Sequence, residues 1–322
     1  MNWQNVSSVI ETIAIGDSGY VGRFAPSPTG PLHFGSLLAA TASYLEARRH
    51  DGRWLVRMED IDPPREQAGA RDLILAALDR YGFEWDGPVI YQSASDPQHR
   101  QAVQQLLDEG LAYRCACSRK DLADVPRGPL GTIYPGTCRD GTIGNDTAMR
   151  IRTTNDTVSF VDGLQGRQSQ DLESESGDFV ILRRDGLVAY QLAVVIDDEL
   201  QGVTEVVRGI DLMDSTPRQI WLQQCLGFRL PAYQHIPVAV HADGNKLSKL
   251  SGAKGIRMDA VEAELIATLD ALGQSPPTEL TSAGTAEIWT WAYEHWQIDR
   301  LGGHTVIPTQ QRAMVEQKNP LR

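Results

Sequence analysis

The string RFAPSPTGPLHFGS, from Arg23 to Ser36, constrains the fold more than any other stretch of this chain. GYVGRF reads as a short strand, and SLLAATASYLEARR has the Ala- and Leu-rich composition of a helix. Between them, Pro26, Pro28, Gly30 and Pro31 break regular structure. In an α/β protein such a strand-to-helix junction is the usual ligand position, beyond the carboxyl ends of the strands. The helix N-terminus offers unpaired N–H groups and a partial positive charge, which suit phosphate. Gly30 and Gly35 remove side chains where a nucleotide approaches the backbone, and His33 can donate a hydrogen bond to a phosphate oxygen.

The flanking pattern predicts an α/β fold with a parallel sheet. RWLVRMED is a strand candidate ending in acids, RDLILAALDRYG a helix closed by Gly82, and PQHRQAVQQLLDEG another helix. From about 112 to 177 the chain becomes rich in Gly, Thr, Asp and Ser. Only short strand candidates appear there, MRIRT and VSFVD, which predicts an insertion with its own small fold. Strand-like alternation resumes in FVILRRDGLVAYQLAVVIDD, with RDG as a hairpin turn. VTEVVRG (strand), TPRQIWLQQCLG (helix) and HIPVAV (strand) follow, and beyond Ile256 the pattern is helical.

With 30 Lys+Arg against 42 Asp+Glu, the net charge of −12 argues against indiscriminate coating of nucleic acid. It leaves room for a local basic surface, for which Arg139, Arg150, Arg152 and the stretch from Lys246 to Arg257 are candidates. No apolar run reaches bilayer length, and the first twenty residues lack a basic start followed by an apolar stretch. The expectation is a cytoplasmic protein with no membrane partner.

A second signal is DGNKLSK, from Asp243 to Lys249, after the strand HIPVAV. Lys246 and Lys249 on a polar loop can neutralise a nucleotide triphosphate, although KLSK alone fits an ordinary charged loop equally well. The third signal is Cys115-x-Cys117 followed by Tyr134 and Cys138. Without a secretory start, three close cysteines point to zinc or to free thiols, and the spacing leaves both open. Cys225, at helix-like spacing, reads as a small buried apolar residue.

Together, HFGS and KLSK resemble the two signature motifs of class I aminoacyl-tRNA synthetases, and RFAPSPTGPLHFGS resembles their glutamyl branch. The resemblance runs from about Gly22 to about Lys254. It implies a Rossmann-type parallel sheet with a zinc-bearing insertion and a short C-terminal helical region. The expected organisation is an N-terminal extension (1–20), a split catalytic domain (21–111 and 178–255), an inserted acceptor-binding subdomain (112–177) and the helical region (256–322). It further implies ATP as co-substrate, Mg²⁺ arriving with it, and a site of Gly30, His33, Gly35, Ser36 and Lys249 for the nucleotide. His33, Lys246 and Lys249 would be the catalytic groups.

Glutamate carries an ammonium and two carboxylates, so a selective site needs cations and an acid. The resemblance assigns its contacts to Arg23, Phe24, Ala25, Pro26, Ser27, Glu59, Tyr190 and Arg208. Arg23 and Arg208 would pair with carboxylates, Glu59 with the ammonium, and Tyr190 would donate its hydroxyl. Glu59 also has a plain alternative, an ion pair with Arg57 or Arg65. The resemblance also implies Cys115, Cys117, Tyr134 and Cys138 as ligands of one structural zinc. Three positions depart from the family pattern. Ser36 stands where the second His of the first motif would be, Leu250 follows KLSK, and Val194 stands where a glutamate-contacting Asn is usual.

Few residues follow Lys249, too few for a full anticodon-reading domain. That points within the family to the short enzymes that glutamylate the queuosine of tRNA(Asp), acting as monomers. A truncated synthetase charging a tRNA 3′ end and a non-catalytic zinc RNA-binding paralogue remain as alternatives.

Overall fold

The computed structural model describes residues 19–128, 130–142, 144, 146–240 and 255–308. The first half forms β1 (Val21–Phe24), α1 (Phe34–Arg49), β2 (Arg53–Met58), α2 (Ala70–Arg80), β3 (Ile90–Tyr91) and α3 (Asp96–Asp108). Next come β4 (Ala112–Cys115), β5 (Arg127–Gly128), β6 (Gly131–Thr132), β7 (Ala148–Ile151), β8 (Thr157–Asp162), β9 (Gly166–Asp171), the single turn α4 (Leu172–Glu175) and β10 (Val180–Leu182). The remainder forms α5 (Tyr190–Leu200), β11 (Glu205–Gly209), α6 (Thr216–Leu226), β12 (Ala232–Ile236), β13 (Val238–Val240), α7 (Val261–Ala271), α8 (Thr285–His295) and β14 (Val306–Pro308).

β1, β2 and β3 pair in parallel, as do β11 and β12. Thr204, just before β11, donates its N–H to the Val21 carbonyl at 3.0 Å and accepts the Val21 N–H on Oγ1 at 2.9 Å. The two parallel sheets therefore meet edge to edge at β1 and β11. This is the arrangement that the alternating strand–helix pattern predicts, and the carboxyl ends of β1, β2 and β11 gather at one rim.

α1 lies at the centre. Eleven of its sixteen residues are buried, including Leu37, Leu38, Tyr44 and Leu45. Its small residues Ala40, Ala42 and Ala47 let neighbouring elements approach on several sides. Tyr44, Trp54, Phe83 and Trp289 form an aromatic cluster with centroid distances of 5.0 to 5.5 Å, mostly edge-on. Trp289 belongs to α8, and its indole donates to the Tyr81 carbonyl at 2.9 Å. The helices α7 and α8 thus share one core with α1.

Three elements differ from the sequence expectation. YQLAVVIDD is helix α5, with Leu192 to Asp198 all buried. A segment covered on every side shows no period, so its β-branched residues read as a strand. β8 and β9 fall within the expected 112–177 insertion, yet β8 pairs in parallel with β12 and extends the β11–β12 sheet. The region beyond Ile256 adds strand β14, which pairs with β13.

Candidate active site and thiol cluster

The loop after β1 is fixed by its own main chain. The Pro26 carbonyl accepts the Glu59 N–H at 3.0 Å, and the Pro28 carbonyl accepts the Gln67 N–H at 2.9 Å. These bonds lay the loop over the end of β2. Phe24 is buried and stacks on Trp54 at 6.1 Å, whereas Ser27 is exposed and Ala25 and Pro26 are partly so. Gly30 has φ +138°, a backbone region that favours glycine.

His33 caps α1. Its Nδ1 accepts the Ser36 backbone N–H at 3.2 Å. Gly35 and Ser36 follow in the first turn, where α1 carries no acidic residue. The helix N-terminus is thereby left electrostatically suited to an anion. Lys246 and Lys249 lie outside the described residues. The chain re-enters at Gly255, which forms an antiparallel bridge with His33, and the Ile256 N–H donates to the Leu32 carbonyl at 2.9 Å.

Behind the loop sits a cluster of buried charges. Arg23, on β1, reaches Asp198 with Nε at 3.3 Å. Arg57, on β2, lies 2.7 Å from the same Asp198 oxygen and 3.5 Å from Glu59 Oε1. Burial would raise the Asp198 carboxyl, but Arg23 and Arg57 outweigh it and hold Asp198 below the usual carboxylate range. Glu59 differs. Burial pushes its carboxyl up to about 7, against the pull of Arg57 and Arg23. Glu59 is thus poised between neutral and ionised.

Tyr190 opens α5. Burial raises its phenol, with Arg208 and Arg23 acting against burial and Glu59 with it. Arg23, Glu59, Tyr190 and Arg208 therefore share one electrostatic neighbourhood, drawn from β1, the end of β2, α5 and β11. Tyr190, Val194 and Asp198 recur at four-residue steps, so they occupy one face of α5. Val194 is 1% exposed and packs within the apolar cluster of Leu192, Val195 and Ile196.

The sequence did not single out Arg57 or Asp198 as site groups, nor Asp162, His235 and Thr216 around Arg208. Arg208 Nε donates to His235 Nε2 at 3.1 Å and its Nη2 to Thr216 Oγ1 at 2.8 Å. Arg65, the other candidate partner for Glu59, pairs instead with Asp62.

At the other end, Cys115, Cys117 and Cys138 place their sulfurs within 4.8 Å of one another. The Tyr134 hydroxyl lies 3.3 Å from the Cys115 sulfur and 3.5 Å from that of Cys117, and it accepts the Cys138 N–H at 3.0 Å. A tetrahedral zinc at about 2.3 Å from each sulfur separates sulfurs by roughly 3.8 Å. Three thiols and a phenol at these separations could hold a metal ion. Burial opposes ionisation of Cys138, but hydrogen bonds from Tyr134, Ala116, Thr142 and Cys117 bring its thiol down to about 6. Arg150 donates to the Cys115 sulfur at 3.3 Å and stacks 3.9 Å above the Tyr134 ring, a cation beside the sulfurs.

A parallel α/β body with a His-capped helix at the carboxyl rim of its strands is a fold that offers a nucleotide a binding place. The family model for class I tRNA synthetases (E and Q), catalytic domain, matches residues 20–130 and 137–272. The chain belongs to that family, and within it to the glutamyl-Q tRNA(Asp) synthetases. It is 52% identical over 296 residues to a Glutamyl-Q tRNA(Asp) synthetase of Dechloromonas aromatica, covering 90% of this chain and 98% of the relative. It is 53% identical over 292 residues to one of Pseudomonas aeruginosa, with coverage of 90% and 98%. A glutamate tRNA ligase of Elizabethkingia meningosepticum, solved with its amino acid, superposes with a TM-score of 0.77 at 22% identity. The match covers 93% of this chain and 69% of that one, a likeness of fold. Among the described residues, no helix is long and apolar enough to cross a membrane.

Proposed function

We propose that this chain is a ligase that activates L-glutamate with ATP and transfers the glutamyl group to the queuosine base in the anticodon of tRNA(Asp). What supports the activation step is the electrostatic neighbourhood shared by Arg23, Glu59, Tyr190 and Arg208, in a fold whose first strand leads through the loop to the His33-capped helix. Two cations, one acid and one hydroxyl match the two carboxylates and one ammonium of glutamate. The names of the relatives support the acceptor.

In this reading a glutamate carboxylate oxygen attacks the α-phosphorus of ATP, and pyrophosphate leaves. His33, with its Nδ1 occupied by the Ser36 N–H, carries the proton of a neutral ring on Nε2 and would keep it there while donating a hydrogen bond to a phosphate oxygen. Gly30, Gly35 and Ser36 give the nucleotide access to the helix N-terminus, and Lys246 and Lys249 neutralise the departing pyrophosphate. Mg²⁺ bound with ATP supplies further charge neutralisation. A hydroxyl of queuosine then attacks the adenylate carbonyl, forming the ester and releasing AMP. Val194, where a polar contact is usual, is buried among apolar side chains and offers glutamate none, so binding rests more heavily on the two arginines and Glu59.

Cys115, Cys117, Tyr134 and Cys138 would hold one Zn²⁺, whose role is to cross-link β4 to the loop carrying Tyr134 and Cys138. ATP–pyrophosphate exchange with glutamate and no tRNA tests the activation step. Robust exchange is expected; none without tRNA would contradict it.

A further inference from the structure

Three buried side chains are linked in series behind the proposed glutamate site. Asp162 closes β8, His235 lies in β12, and Arg208 lies in β11 as the register partner of His235. They are 1%, 0% and 5% exposed. Asp162 Oδ2 lies 2.6 Å from His235 Nδ1, and Arg208 Nε donates to His235 Nε2 at 3.1 Å.

The direction of this chain is fixed by chemistry. An arginine N–H can only donate, so His235 Nε2 must carry no proton. The ring proton then sits on Nδ1, where Asp162 accepts it. Asp162 Oδ1 takes the N–H groups of Leu164, Gln165 and His235, which immobilises the carboxylate. Thr216 Oγ1 accepts from Arg208 Nη2 at 2.8 Å. These contacts grip two of the three guanidinium nitrogens. Nη1 is buried without a hydrogen-bond partner among the described residues.

We propose that Asp162 and His235 are positioning residues for glutamate recognition. Asp162 sets the His235 tautomer, and His235 turns the Arg208 guanidinium so that Nη1 faces a substrate carboxylate. The proposal rests on the reading of Arg208 as a carboxylate ligand.

The test is ATP–pyrophosphate exchange by the full chain, with KM for glutamate and for ATP measured separately and the melting temperature alongside. In Asp162→Asn the amide can donate to Nδ1, which moves the ring proton to Nε2 and aims it at Arg208. Glutamate KM should then rise about tenfold to hundredfold, with ATP KM within about twofold. His235→Gln offers Arg208 an amide oxygen and should lose less glutamate affinity than His235→Leu, which offers none. If Asp162→Asn does not fold, the His235 pair carries the same comparison. Equal rises in both KM values, or no difference between the two His235 variants, would overturn the proposal and leave a structural network. If Arg208→Ala raises glutamate KM while the Asp162 and His235 variants do not, the positioning fails and the Arg208 reading stands. An unchanged glutamate KM in Arg208→Ala would remove that reading and the proposal with it.

Discussion

His33 Nδ1 accepts the Ser36 backbone N–H at 3.2 Å, so the imidazole caps α1 and, as a neutral ring, carries its proton on Nε2. The two roles separate by substitution. His33→Ala should lose a cap of about 1 kcal/mol and slow pyrophosphate exchange about 10²–10³-fold. His33→Asn can still accept the Ser36 N–H, so it should keep the melting temperature while remaining slow. Thermal melts and exchange rates on both variants check this.

Glu59 gives the site a pH dependence whose sign follows from its environment. Burial raises its carboxyl to about 7 in the folded chain, from an ordinary value of 4.5. Below about 7 the folded chain holds the proton, and an uncharged carboxyl attracts the substrate ammonium weakly. Glutamate KM should therefore rise as pH falls below 7, approaching about tenfold per pH unit. The stability sign is opposite to that of a salt-bridged acid. The folded state binds the extra proton between 4.5 and about 7, so this group's contribution is present at low pH and lost as pH rises through that window. Glu59→Gln should raise glutamate KM and flatten its pH profile; a wild-type profile that is already flat would contradict the assignment.

The thiol cluster predicts one zinc per chain. Metal analysis of protein purified without chelator should find about one equivalent, and Cys117→Ala should lose it. Chelation should lower the melting temperature. A metal-free wild type would return the three cysteines to ordinary thiols.

Gly177 supports the same cluster from behind. It has φ +62°, and a Cβ there would lie 2.4 Å from the Tyr134 carbonyl oxygen and 2.5 Å from its nitrogen. Both atoms are backbone and cannot swing aside. Gly177→Ala should destabilise the chain by about 1–3 kcal/mol and reduce zinc retention, read by denaturant melts and metal content.

What was legible in the sequence is what is local in the chain. The strand, loop and cap from Arg23 to Ser36 lie within one short stretch, and so do Cys115, Cys117, Tyr134 and Cys138. Arg57 was visible only as a possible partner of Glu59. It does pair with Glu59, but it pairs more closely with Asp198, which is carried by α5. That acid was hidden because YQLAVVIDD, buried on all sides, carries no helical period. Asp162 and His235 meet only because β8 joins β12, a pairing between distant segments that no local pattern announces. The part of the proposed site on Lys246 and Lys249 lies outside the described residues.

The acceptor decides whether this chain modifies an anticodon base or charges a tRNA 3′ end. Single-stranded loop bases are the part of an RNA most readily splayed out and read, so an anticodon base can enter a compact site. The measurement is transfer of labelled glutamate by the purified chain to tRNA(Asp) isolated with queuosine, to the same tRNA without it, and to tRNA(Glu). Labelling of the queuosine-bearing tRNA(Asp) alone is predicted. Equal labelling of both tRNA(Asp) preparations, or preferential charging of tRNA(Glu), would contradict it.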